Sequence, residues 1–320
     1  MLTLQFANRT HQLPDQWEEL NQDQFVGLVQ LLTSFTQGDL TPDMVRTLFF
    51  LDLADIKPRR TRSKEQAALF SENVFRISRN LTFMFRIQYE NDKAIRAMGK
   101  DIQGLLERYL PEEIEEDLPE LRVAGKLKKH LEIDGVFAKN LVPEIRIRRK
   151  VYQGYRFTRI GGVLNTDLPA GDFIDASTLH DQYMLSGEEE HLNEMVRILY
   201  KLPDGVAGRV PDATRAAILF NFRAILLFLT HQTQYGILWR KGSAKQDEKI
   251  SIGFVDSLYS LAKAGYGDTT RLKTISLVEF LDLLLKEIID AVKQLKEAKK
   301  NVAEIAELTK LTIHQVQSIL

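Results

Sequence analysis

The sequence contains no cysteine. Disulfides, iron–sulfur clusters, thiolate zinc sites and cysteine nucleophiles are excluded with it. The absence suits a reducing compartment, and equally a virion or secreted protein that never needed covalent staples. Net charge is almost absent too: 43 Lys and Arg stand against 44 Asp and Glu, so no global field draws the chain toward nucleic acid or an anionic membrane. The one long apolar run, residues 216–229, is interrupted by Asn221 and Arg223. It falls short of the about 20 residues that cross a bilayer and reads as a buried helix. Residues 1–6 carry no basic stretch leading into an apolar core, so no signal peptide is expected. What is present is a 320-residue chain, 44% hydrophobic. That is too apolar for disorder and long enough for about two domains.

Hydrophobic spacing divides the chain into helical stretches with a short extended region between them. Leu2, Leu4 and Phe6 alternate with Thr3 and Gln5, a strand signal. Phe25, Leu28, Val29, Leu32 and Phe35 recur at helical spacing over 22–35, and Gly38 stops that helix. Thr41 and Pro42 read as N-cap and first residue of a helix running to Leu53. A basic loop spans 57–62. A wide apolar stripe through Phe70, Val74, Phe75, Ile77, Leu81, Met84, Phe85 and Ile87 predicts one long helix over 64–90. Residues 107–120 are acidic and 122–130 basic, which reads as solvated surface. Near Asp134 the period changes. Runs at 144–152 and 155–160 flank Gln153 and Gly154 and predict a β-hairpin turning there, with 2–7 as a further strand of the same sheet. Ser186 and Glu189 have capping-box spacing ahead of a helix carrying Leu192, Met195, Val196 and Leu199. Helices follow at 170–183, 213–231, 251–263 and 276–299. The fold expected is mainly α, with two helical lobes joined by a small antiparallel β-hairpin or sheet. Its expected domains are 1–135, 136–300 and a C-terminal pair at 301–320.

Chemistry-bearing motifs are missing. The six histidines, His11, His130, His180, His191, His231 and His314, include no pair at helical ligand spacing. His180 and His191 lie among Asp175, Asp181 and Glu188 to Glu190, which also describes ordinary polar helix ends. There is no nucleophile elbow, Walker loop or dinucleotide fingerprint. Carboxylate pairs such as Glu115 and Asp117 have no opposed environments to set acid against base. No catalytic, metal or cofactor residue is nominated, and a non-enzymatic protein is expected.

The C-terminal 18 residues resemble a helix-turn-helix. Ala306 sits in the first helix, Leu311 and Thr312 at the turn, and Val316 and Ile319 face back, with Lys310 where glycine is usual. The second helix offers His314, Gln315, Gln317 and Ser318, and glutamine can read adenine in a major groove. Arginine, the usual phosphate contact, is absent from the unit. The alternative expectation is therefore a DNA-binding regulator contacting nucleic acid through Gln315 and Gln317. Arg59, Arg60 and Arg62 of the basic loop and the Arg146 and Arg148 strand face would add phosphate contacts.

Two stretches carry a family likeness. One is Asn140 to Pro143, a short sheet, then Asp172 to Ala176, Tyr183, Leu192 and Ile198 to Tyr200. The other is Gly253, Phe254, Leu258, Leu261, Ala262, Gly265 and Gly267 followed by a helix over 277–291. Together they resemble a structural-region, tail-assembly-chaperone-like family of Bacteroidetes phages and prophages, over about residues 140–295. The resemblance implies a structural or tail-assembly role through protein–protein contacts, with tape-measure or other tail proteins as partners. The missing motifs and the short apolar run lead to the expectation of no cofactor and no membrane; a homo-oligomer in the host cytoplasm during assembly or in the virion fits the resemblance. A chaperone of this kind would offer an apolar groove to an amphipathic helix. Phe254, Leu258, Leu261 and Tyr266 are the residues expected to line it.

Overall fold

The computed structural model describes residues 1–6, 9–56, 63–114, 118–239 and 254–320. The protein is mainly helical with short two-stranded antiparallel pairs, and its contacts separate into two units, Met1–Gly135 and Val136–Leu320.

In the first unit β1 (Leu2–Phe6) pairs with β2 (Arg9–Leu13), Leu2 opposite Leu13. The first strand thus closes its own hairpin instead of joining a central sheet. A 3-10 turn at Trp17–Glu19 leads to α1 (Gln22–Thr36), where Asn21 and Gln24 form a reciprocal capping box. Gly38, at φ +84, ends it. Thr41 caps α2 (Pro42–Leu53) by accepting from the Met44 N–H, and α3 follows (Lys64–Ser78). The long helix expected over 64–90 ends at Ser78. Phe85, Ile87 and Tyr89 alternate instead along β3 (Phe85–Tyr89). A period of two had been hidden at the end of a period of 3.6, because both patterns place apolar residues at 81, 85 and nearby. Short helices α4 (Asp92–Arg96), α5 (Lys100–Arg108) and α6 (Pro119–Gly125) then lead to β4 (Lys129–Ile133), which pairs with β3.

The core of this unit gathers Trp17, Phe25, Leu28, Val45, Phe49 and Phe85, with Trp17 edge-on to Phe25 and Phe83. A second, smaller cluster joins Ile87, Tyr89, Ile95, Leu106 and Leu121. Arg46 is 2% exposed. Its guanidinium lies 5.6 Å from the Phe85 ring centroid, and burial pulls its pKa down against the opposing pull of Glu113 and Asp43. Asp134 closes the unit. Burial raises its carboxyl above the usual range, Arg86 opposing and Glu107 adding to the shift. The raised folded pKa means the native state binds the proton more tightly than the unfolded chain, so this group's contribution falls as pH rises through the carboxylate range. Asp134→Asn is expected to raise Tm at neutral pH. Thermal scans should show that gain vanish below about pH 4.

The second unit opens on the segment 137–143. It then forms two hairpins, β5 (Glu144–Ile147) with β6 (Lys150–Gln153), and β7 (Phe157–Ile160) with β8 (Val163–Thr166). The single hairpin expected to turn at Gln153 and Gly154 is thus two. The turns fall at Arg148 and Arg149 and at Gly161 and Gly162. Both glycines have positive φ, +58 and +86, as a two-residue primed turn requires. Gly154 serves a different need: a Cβ there would lie 2.7 Å from Cε1 of Tyr200.

Helices complete the unit: α7 (Ala170–Ser186), α8 (Glu189–Tyr200), α9 (Asp212–His231), α10 (Phe254–Lys263), α11 (Thr269–Thr274), α12 (Leu277–Glu297), α13 (Val302–Thr309) and α14 (Ile313–Ile319). The expected Ser186–Glu189 capping box does not form. Gly187, at φ +70, terminates α7, and Ser186 belongs to α7 while Glu188 holds the N-cap position of α8 without a side-chain hydrogen bond. The starts of α7 and α12 are tied together, with Ala170 N–H donating to Ile275 O (2.9 Å) and Leu277 N–H to Leu168 O (2.9 Å).

At 20 residues α9 is longer than its apolar run suggested, and by length and composition alone it would cross a membrane. In this fold one face of it is packed inside the unit. Ala217, Ile218, Phe222, Ile225, Phe228 and Leu229 are buried. Its buried Asn221 accepts from the Leu141 N–H (2.6 Å) and donates to Lys139 O (3.0 Å). Asn140 adds a bond to Tyr155 O (2.7 Å), and the Tyr200 hydroxyl donates to Val142 O (2.6 Å). A segment without regular structure is thereby buried with its backbone satisfied, which buried backbone demands.

Candidate functional site

The helical hairpin α7–α8 carries an open groove of about 780 Å³, lined by Asp172, Asp175 and Leu179 on one side, Glu194, Arg197 and Lys201 on the other, and Val255 of α10. Two of its charges pair with each other. Arg197 donates from Nε to Glu194 (2.7 Å) and lies 3.8 Å from Asp204. That hydrogen bond holds the Glu194 carboxyl below its ordinary value. Burial raises Asp172, with Lys201 pulling the other way. Neither histidine named in the sequence adds to the groove. His180 is buried against Phe222, ring centroids 6.0 Å apart, with Nδ1 3.0 Å from Asp181. His191 lies 3.3 Å from Ser186 Oγ. Among the described residues no three His, Asp or Glu side chains gather as a metal-holding group. The groove can bind polar surface, but it aligns no nucleophile with a base.

The residues expected to line an apolar groove are placed differently. Leu258 is 1% exposed and Leu261 is fully buried, so both are core. Phe254 is packed into an aromatic cluster with Trp239 (5.1 Å), Phe173 (6.0 Å) and Phe280 (6.4 Å). Tyr266 sits apart, its ring 5.9 Å from Lys286 Nζ, and its hydrogen bond to Glu287 raises its hydroxyl pKa. Helical spacing identified an apolar face here but not which way it turned. α10 turns this face onto α7 and α12.

The C-terminal pair does form. Val292, Ile305, Ala306, Leu311 and Val316 make a small core of their own, joined by Ile288, Leu295 and Ile319. Lys310 takes the left-handed conformation, φ +56, that the turn requires. A non-glycine residue there is strained, so Lys310→Gly is expected to stabilise the pair by about 0.5–1 kcal/mol after the entropy of the unfolded glycine is counted. Amide exchange across α13 and α14 measures it. The helix offered for base reading is partly occupied. Gln315 Oε1 accepts from the Thr312 N–H (2.9 Å) in a capping box, so its carbonyl is engaged in the helix. Gln317 is exposed, while Arg59, Arg60 and Arg62 lie outside the described residues.

What the sequence reading missed is beside this pair. Ile288, Ala291 and Leu295 of α12, with Leu308 of α13, line a mostly apolar cleft of about 570 Å³, flanked by Glu287 and Gln294. Leu308 is 60% exposed and Ile313 54%. The available signal was the i, i+3, i+7 spacing at 288, 291 and 295, which continues the apolar face of α12 beyond the part that packs on the rest of the unit. Comparison of the chain with protein-family models, curated proteins and solved structures gives no match.

Proposed function

We propose that this is a non-enzymatic protein that works through protein–protein contacts, its C-terminal three-helix unit receiving a helix of its partner. The observation that carries this reading is the α12–α13 cleft with Leu308 standing open beside it. An apolar trough between two helices suits the i, i+3, i+7 anchors of an amphipathic helix. The likeness of residues 140–295 to phage structural-region proteins supplies the setting, assembly of a phage tail, and makes a helical tail component such as the tape-measure protein the partner to test. The alternative, a regulator reading DNA through α14, is weakened by the engaged Gln315 and the lack of arginine on that helix.

The test is co-expression with each tail component of the source phage, followed by size-exclusion chromatography. One component is expected to co-elute with the chain, and Leu308→Glu is expected to abolish that complex by placing a charge at the cleft mouth. A chain that elutes alone beside every tail component, or a complex indifferent to Leu308→Glu, overturns the reading.

A further inference from the structure

Near-neutral net charge conceals a concentrated cationic feature among the described residues, the tip of the β5–β6 hairpin. Arg146, Arg148, Arg149 and Lys150 fill four of five consecutive positions and all are exposed, while Ile145 and Ile147 turn inward. None of the four enters an ion pair among the described residues. The neighbouring hairpin differs: Arg156 is paired with Asp167 (2.9 Å), and Arg159 lies over the Phe228 ring (5.7 Å). The tip is also built against local preference. Arg148 adopts φ +55 at the first position of a two-residue turn, where glycine is favoured. Four like charges are thus held side by side, one of them on strained backbone. Such outliers point toward a functional constraint.

We propose that this tip contacts the phosphodiester backbone of a nucleic-acid duplex. Two features favour phosphate over an acidic protein segment. Protein interfaces are organised around a buried apolar or aromatic core with charges at the rim, and the tip exposes only Val151 as an apolar neighbour. Nucleic-acid interfaces instead take much of their energy from cations alone. A two-stranded ribbon also has the dimensions that enter a major groove. Arginine's planar fork meets phosphate oxygens bidentately. The contact requires no base reading and is independent of the α12–α13 cleft.

The experiment is fluorescence anisotropy of the full chain with labelled duplexes of about 20 base pairs. DNA and RNA arms distinguish the two sources of the backbone. Binding is expected at low salt, with a log–log salt slope of about −3 to −4 if all four cations engage. Arg148→Gly combined with Arg149→Asn removes two charges while placing glycine at the position of positive φ, so the fold is retained. It is expected to weaken binding at least about tenfold at low salt and to flatten the slope by about two. Lys299→Ser with Lys300→Ser removes equal charge beside the C-terminal pair and is expected to leave binding unchanged. No binding at about 20 mM salt overturns the proposal. So does a loss that follows the Lys299 and Lys300 variant instead of the hairpin variant. Displacement of the duplex by polyglutamate at equal charge also overturns it, in favour of an acidic protein partner.

Discussion

Asn221→Ala is expected to destabilise the second unit by about 2 kcal/mol, because it leaves the buried Leu141 N–H without its acceptor and removes a donor from Lys139 O. The side chain is 1% exposed, and its amide satisfies both the N–H of Leu141 and the carbonyl of Lys139. A buried backbone group left without its partner costs about 1–3 kcal/mol. Asn221→Asp is not expected to rescue. It keeps the acceptor for Leu141, loses the donor for Lys139 and buries a carboxylate. Trp239 lies in this unit and Trp17 in the other, so urea unfolding followed in a Trp17→Phe background reports the affected transition. Amide exchange over 137–143 should accelerate in parallel. A loss below about 0.5 kcal/mol, the ordinary range for surface changes, would show that the segment is held by something other than this amide.

Gly154→Ala is expected to cost about 2–3 kcal/mol through overpacking alone. Its φ is not in the left-handed region, so the backbone tolerates alanine, and the obstacle is Tyr200. A Cβ at 154 would sit 2.7 Å from Cε1 and 3.1 Å from Cζ of a ring that is 2% exposed. That ring is pinned at its far end by the hydroxyl bond to Val142 O. It cannot move aside without breaking the bond that fixes the buried segment. The signature is non-additivity. In a Tyr200→Ala background the Gly154→Ala penalty should nearly disappear, and a double-mutant cycle in urea measures that coupling. Equal penalties in both backgrounds would place the strain elsewhere.

These two positions show where sequence reasoning stopped. Gly154 beside Gln153 reads as a turn, because glycine between extended runs usually is one. Its real constraint is a ring contributed by a residue 46 positions later, which no local pattern records. Asn221 reads as an interruption of an apolar run, and nothing nearby in sequence identifies its partners about 80 residues earlier. The candidate site follows the same division. The apolar spacing of Phe254, Leu258 and Leu261 was legible, but packing decided that Leu258 and Leu261 are core and left the exposed apolar surface at Leu308. The cations at 146–150 were legible as charge. Their freedom from ion pairs and the strain at Arg148 were not.

By itself the sequence determined the mainly helical class, the positions of helices such as α1, α2 and α12, and the Thr41 cap of α2. It also placed a turn beside Lys310 and excluded thiol chemistry. Each of these follows from interactions spanning a few residues, or from composition. Tertiary structure alone decided that Phe85 begins a strand and that the hairpin is two hairpins. It alone decided which apolar faces remain uncovered. Short apolar runs satisfy helix and strand periods equally well, so the choice between them is made by the partner that buries them, and that partner is set by contacts far away along the chain.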